Sequence, residues 1–215
     1  MKYLSLFFLI LVLTTFSFTS DPLENGLIAH YSFNNCDAHD DSGNDSDGVL
    51  FGKMNCACGV EGDGLELDGM QDYIEFHGNV NNYFTTSDFT VSYYFKAGKY
   101  SIFQQSMLSK RETCEEINMF DLQLNANLKF VDTDLYESPQ KYFRDISPKL
   151  DSTLWMHFAI VREGIRARTF INGQLRQEGL RCSGVDLTND AVLSFGNSPC
   201  IRSGRTVRFL SLIHI

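Results

Sequence analysis

From residue 26 onward, apolar side chains recur at every second position. Leu27, Ala29, Tyr31 and Phe33 alternate with His30 and Ser32; Phe89, Val91, Tyr93 and Phe95 with Thr90 and Ser92; and Phe120, Leu122 and Leu124 with Asp121 and Gln123. A period of two sends successive side chains to opposite faces of an extended chain, so these segments predict half-buried antiparallel strands. Leu154 to Val161 is apolar on both faces apart from His157. That run predicts a central strand covered on both sides, with Trp155 near the core. Arg166–Ile171 and Gln174–Gly179 flank Asn172-Gly173, the pair that accepts the positive φ angles of a type I′ turn, and so predict a hairpin. Turn-rich stretches such as Asp40 to Gly48 separate the strands, and no window carries a helical apolar stripe over three turns. The expected architecture is all-β, two antiparallel sheets packed as a sandwich.

The N-terminus breaks this pattern. Lys2 followed by an apolar run from Leu4 to Phe18 reads as a secretory signal peptide spanning residues 1–20. The run is marginal for a bilayer span, and no basic cluster follows it, so no transmembrane segment is expected after cleavage. One domain, residues 21–209, accounts for the remainder. A secreted or cell-surface chain meets an oxidising compartment, so its six cysteines (Cys36, Cys56, Cys58, Cys114, Cys182, Cys200) are expected mostly in disulfides. Cys56-Ala57-Cys58 has a one-residue spacing, and no second pair completes a zinc set. Charge is uneven: residues 21–75 hold 13 Asp and Glu against Lys53 alone. Such a surface excludes phosphate backbones and favours cations or neutral partners.

Five segments in order carry a resemblance. They are Gly26–Phe33 with Asp41-Ser42-Gly43-Asn44, Leu65-Glu66-Leu67-Asp68-Gly69-Met70-Gln71-Asp72-Tyr73-Ile74-Glu75, Phe89-Thr90-Val91-Ser92, Trp155–Arg162, and Phe170-Ile171-Asn172-Gly173. Together they resemble the laminin-G-like jelly-roll domains of the concanavalin A-like superfamily. The resemblance implies a two-sheet jelly roll and a non-catalytic module that recognises a glycan or an extracellular protein. The cysteines depart from the general family pattern. Local pairing suggests Cys36 with Cys56 or Cys58, and Cys182 with Cys200.

Two chemistries follow. Some domains of this kind bind calcium, and the acidic loop from Asp37 to Asp47 offers oxygen ligands in Asp37, Asp41 and Asn44; the alternative is an Asx-turn loop of solvated acids. Glu61, Asp63 and Glu66 match the E-x-D-x-x-E spacing of glycoside hydrolases sharing the fold. Retaining enzymes need two carboxyls about 5–5.5 Å apart on a rigid strand. Gly62 and Gly64 weaken that strand, and Trp155 is the sole tryptophan, so a binding module is the favoured reading. Neither a G-x-S-x-G elbow nor a phosphate loop occurs. Tyr83, Phe84, Tyr94, Tyr100, Tyr136 and Tyr142 are aromatics that could serve a glycan platform or the core.

At the C-terminus, Arg205 to Phe209 resembles the lead-in to the family's closing segment, but the usual Asp-Glu-containing strand does not follow. Leu210-Ser211-Leu212-Ile213-His214-Ile215 instead matches the translation of a sequencing-library adapter, and residues 210–215 read as a non-native tail. Without a closing strand, the edge of Leu27–Phe33 is expected to lie open.

Overall fold

Fifteen short strands form among the described residues, and those over Phe89–Ala97, Met119–Asn125, Met156–Glu163 and the two that flank Asn172-Gly173 lie where the sequence pattern predicts them. In chain order they are β1 (Gly48–Phe51), β2 (Asn55–Cys58), β3 (Asp63–Asp68), β4 (Tyr73–Phe76), β5 (Phe89–Ala97), β6 (Gln104–Lys110), β7 (Met119–Asn125) and β8 (Phe130–Ser138). Then follow β9 (Lys141–Ile146), β10 (Met156–Glu163), β11 (Arg166–Ile171), β12 (Gln174–Gly179), β13 (Leu193–Phe195), β14 (Thr206–Arg208) and β15 (Leu210–His214). This computed structural model describes residues 25–98, 101–125, 127–151, 154–179 and 184–214. The signal-peptide segment, Tyr100 and Cys182 lie outside them.

The strands form two sheets. One runs β1-β4-β13-β6-β7-β8-β9, with β14 paired to β6, and the other runs β12-β11-β10-β5-β15-β3-β2. Every pairing is antiparallel except β14 on β6. Inward residues of both sheets meet in one apolar core that includes Leu65, Ile74, Tyr93, Phe95, Phe120, Leu122, Phe158, Ile160, Phe195 and Phe209. The β11–β12 turn has Asn172 at φ 50° and Gly173 at φ 72°, as the Asn-Gly pair requires. Strand β10 is central, between β11 and β5. Trp155, which precedes it, is half-buried and stands outside the core cluster.

The first predicted strand is corrected. Tyr31 and Phe33 do reach the core, but Leu27–Phe33 forms no ladder. Aspartates take its backbone instead: the His30 N–H donates to Asp40 Oδ1 at 3.0 Å and the Ser32 N–H to Asp41 Oδ2 at 3.1 Å. Asp40, 2% exposed, also accepts from the Ser42 and Ser46 N–H groups and the Ser42 hydroxyl. Burial pushes its carboxyl up, yet hydrogen bonds from Ser42, His30 and Ser46 outweigh this and hold it below its ordinary value. Much of the anionic N-terminal loop is therefore backbone support.

Residues Leu210–His214 fill a slot between β3 and β5, not beside Leu27–Phe33, so the open edge expected there is not formed. Glycines admit this strand. A Cβ on Gly98 would sit 2.4 Å from the Leu210 carbonyl oxygen, and one on Gly64 would sit 2.9 Å from that of Ile213. Gly64, read from sequence as a weakness of β3, is where the backbone of β15 leaves no room for a side chain.

Candidate functional site

Strands β7, β8 and β9 turn Phe120, Leu122, Leu135 and Phe143 into the core. Period-two alternation then places Asp121 and Gln123, Asp132 and Asp134 with Tyr136, and Tyr142 with Arg144 on the outer face. The ladder aligns Asp121 with Asp134 and Asp134 with Arg144, a row of three charged side chains across three strands. Arg144 forks onto Asp134, Nε to Oδ1 at 2.6 Å and Nη2 to Oδ2 at 3.0 Å, while Nη2 also reaches Glu116 at 3.3 Å. Its guanidinium lies 5.4 Å over the Tyr136 ring, and Tyr136 stacks on Tyr142.

A wall rises over this floor from the loops on either side of Cys114 and Cys200, which form a disulfide. Arg111 reaches in from the first loop and donates to Asp121 Oδ2 at 2.7 Å, with its other donors on the Thr113 and Glu115 carbonyls. Arg205, from the second loop, donates to the Cys114 carbonyl at 3.0 Å. Between floor and wall is a cleft of about 150 Å³ whose lining includes Gln104, Gln123, Asp132, Asp134, Arg144 and Thr206.

Two cleft groups lack partners. Thr206 is 3% exposed and its Oγ1 has none, and Asp132 Oδ1 is buried without a hydrogen bond. The Asp132 side chain is 16% exposed, and the nearest guanidinium nitrogen, Arg144 Nε, is 4.0 Å away, beyond hydrogen-bond reach. Burial, with the like charge of Asp134 next, pushes the Asp132 carboxyl up to about 6 against the pull of Arg144. Asp134 is also raised by burial, opposed by its hydrogen bond from Arg144.

A larger hollow, about 460 Å³, opens beside Met70, Ile102 and Phe103. Its charged groups are already engaged. Asp68 accepts three backbone N–H groups, while Arg208 stacks 4.3 Å from the Tyr73 ring and donates to Asn197. The smaller cleft, with unmet polar groups, is the candidate site.

A sequence model of the laminin-G type, described as "Concanavalin A-like lectin/glucanases superfamily", matches residues 68–214. The chain belongs to this family. No curated protein matches it. Among solved structures, it is similar to domain 4 of AbnA, a GH43 extracellular arabinanase from Geobacillus stearothermophilus, in complex with arabinotriose. That likeness has 20% identity and a TM-score of 0.66, and covers 87% of this chain and 89% of the other. It is also similar to the binding domain of Paraclostridial Mosquitocidal Protein 1, at 16% identity and TM-score 0.67 over 89% and 49% of the two chains. A third likeness is to the binding domain of botulinum neurotoxin DC in complex with rat synaptotagmin II, at 12% and 0.66 over 89% and 47%. The chain spans about half the length of these toxin chains.

Most family motifs in this laminin-G-like domain are scaffold. Asp68 and Asp72 close the turn before β4: Asp72 takes the Lys53 and Asp68 N–H groups on its two oxygens. His157 bonds the Ser92 hydroxyl at 2.7 Å and packs on Tyr94, on the outer face of the other sheet. Of the proposed calcium ligands, Asp37 accepts from the His39 N–H and Asp41 from the Ser32 N–H and hydroxyl, while Asn44 donates to the Leu27 carbonyl. Glu61, Asp63 and Glu66 are not assembled as a catalytic set. Glu61 lies in the turn before β3, Glu66 points outward, and a carboxyl oxygen of Asp63 lies within 4.8 Å of the Cys36 and Cys56 sulphurs.

The cysteines pair as Cys36–Cys56 and Cys114–Cys200. The first is one of the two alternatives expected. The second corrects the Cys182–Cys200 pairing: Cys200 lies against the segment around Cys114, where Arg205 of the same turn also bonds the Cys114 carbonyl. Cys58 is a free, exposed thiol. Among the platform aromatics, Phe84 and Tyr136 are buried, whereas Tyr83, Tyr94 and Tyr142 are exposed. Sequence reasoning did not single out Asp121, Asp132, Asp134, Arg144 or Thr206 as a site. The available signal was Asp132-Thr133-Asp134 alternating with Val131 and Leu135, which marks outward acids but not their convergence.

Proposed function

We propose that this chain is a secreted, non-catalytic recognition module that binds a glycan in the cleft over β7–β9. The unpartnered pair of Asp132 Oδ1 and Thr206 Oγ1 carries this reading. A buried polar atom left without a partner costs about 1–3 kcal/mol, and ligand hydroxyls arriving in the cleft would remove that cost. The arabinotriose complex of a similarly folded domain supports a glycan, as do the two disulfides an extracellular setting. The charge pairing supports a non-catalytic reading of this cleft: Asp121 and Asp134 are held by Arg111 and Arg144, which leaves Asp132 without the second free carboxyl that glycoside hydrolysis needs.

Asp132→Leu tests this with two readouts that move in opposite directions. Titration of the cleft's glycan, found by array, is expected to show affinity falling at least ~30-fold, because the acceptor is gone and an apolar group faces the ligand. Stability at neutral pH should rise. The Asp132 carboxyl is raised in the folded state, so its favourable contribution is complete below about pH 4 and is lost as pH climbs through about 6. Removing the charge should recover about 1–2 kcal/mol at pH 7, partial solvation allowed for, and flatten the melting temperature between pH 4 and 7. Unchanged glycan affinity in a folded variant would remove the cleft from the reading.

A structural calcium ion at Asp37, Asp41 and Asn44 is a separate proposal, supported by their oxygen-rich loop. Chelator is expected to lower the melting temperature by several degrees and calcium to restore it. An unchanged melt assigns those residues to turn formation alone.

A further inference from the structure

We infer that the cleft selects a cationic glycan, an amino sugar carrying a free protonated amine, over neutral and anionic sugars. The inference rests on the glycan reading and adds the ligand's charge to it. It follows from which hydrogen-bonding directions in the cleft are already taken. Each guanidinium is held by protein acceptors: Arg111 by Asp121 and two carbonyls, Arg144 by both oxygens of Asp134 and by Glu116, and Arg205 by the Cys114 carbonyl. An anionic ligand therefore meets Arg111 and Arg144 with their carboxylate-facing directions spent, and exposed Arg205, bonded only at Cys114, is the one cleft guanidinium without a carboxylate partner among the described residues.

The acceptor side is the reverse. Asp121 and Asp134 have cationic partners, but Asp132 stands 4.0 Å from the nearest guanidinium nitrogen. Its Oδ1 is without a donor; the Oδ1 of Asp121 is too, but that side chain is fully enclosed beneath the cleft and does not line it. Gln123 does not relieve Asp132, since its amide donates to Asp121 Oδ2 at 2.6 Å. At Asp132 the cleft thus lacks a hydrogen-bond donor and a neutralising positive charge. The Thr206 hydroxyl, also unpartnered, can give or take a hydrogen bond and fits a neighbouring sugar hydroxyl.

A protonated amine supplies both missing quantities at once, three donors and a unit charge, whereas a sugar hydroxyl supplies one donor and no charge. An N-acetyl group removes the charge and adds a carbonyl acceptor facing acceptors. A uronate or sialate carboxylate meets Asp132 with like charge. Burial strengthens the discrimination, because the cleft's low effective dielectric magnifies an uncompensated charge. The chain's net charge of −9 favours the approach of a cation from outside.

Binding isotherms of the whole chain at pH 7 test this with four oligosaccharide probes of matched length: glucosamine oligomers, their N-acetylated counterparts, arabino-oligosaccharides, and uronate oligomers. We expect the free-amine oligomer to bind at least ~10-fold more tightly than the N-acetylated and neutral ones, with the uronate weakest. Asp132→Asn keeps an acceptor and loses the charge, so it should bring the amine probe down to the level of the neutral probes while changing these little. Thr206→Val should weaken every probe without altering their order, and melts of both variants report folding separately. Equal binding of neutral and amine probes would overturn the charge inference while the glycan reading stood. So would uronate binding best, or an amine preference persisting in folded Asp132→Asn. Binding of none of the four would bring down both the inference and the glycan reading.

Discussion

Replacing Arg162 by leucine is expected to lower the free energy of unfolding by about 3–5 kcal/mol. Arg162 lies on β10, at the end of the Trp155–Arg162 segment that carries part of the family resemblance, and is 1% exposed. Its guanidinium donates to the Thr85 carbonyl at 2.8 Å, the Thr86 carbonyl at 3.3 Å and the Val185 carbonyl at 2.6 Å, and lies 6.0 Å from the Phe89 ring. One side chain thus fastens the loop before β5 and the loop before β13 to the edge of the core. Leucine fills much of the space but strands the buried Val185 carbonyl and strips the part-buried Thr85 and Thr86 carbonyls of their donor. Urea unfolding of the oxidised protein measures the loss, which corresponds to a melting shift of roughly 8–15 °C for a domain of this size. A change under about 1 kcal/mol would show that these loops are held by other contacts. Lysine should restore only part of the loss, since an ammonium cannot span carbonyls on two loops as a planar fork does.

Removing the Cys114–Cys200 disulfide, by serine at both positions, is expected to cost about 4 kcal/mol and to abolish cleft binding as well. The bridge closes 86 residues of chain, and the restraint on the unfolded ensemble grows with loop length. It also fixes the cleft wall: Arg111 and Arg205 each bond a carbonyl in the segment around Cys114, and Arg111 in turn neutralises Asp121. A mobile wall loosens that charge pairing. The Cys36–Cys56 bridge is the control, because it closes 20 residues and ties the turn after Phe33 to β2 of the other sheet. Its removal should destabilise by about 2–3 kcal/mol yet leave affinity within a few-fold once the protein is folded. Calorimetry and ligand titration on both double mutants separate the two effects. Equal loss of affinity from both would make the Cys114–Cys200 bridge a general staple and not a determinant of the site.

Local pattern determined much of this protein before any tertiary contact was known. Side chains that alternate along an extended backbone must face two ways, so the apolar set of β5, β7 and β10 had to meet another sheet, and Asn172-Gly173 had to turn back on itself. Both results depend on the geometry of a few consecutive residues. The strand expected at Leu27–Phe33 shows where pattern stops. Tyr31 and Phe33 obey it, but Asp40 and Asp41 supply acceptors from ten and nine residues away and replace the ladder. The cleft was illegible for a related reason. Alternation says that Asp121, Asp132, Asp134 and Arg144 point away from the core, as polar strand residues do everywhere; it cannot say that the register of three strands and a bridge from Cys114 to Cys200 gather them under one wall. Only pairing across the chain decided that Asp134 and Asp121 receive arginines while Asp132 and Thr206 do not. The place of Leu210–His214 between β3 and β5 was likewise tertiary, opened by the missing side chains of Gly64 and Gly98, because the space a strand occupies is set by its neighbours and not by its own sequence.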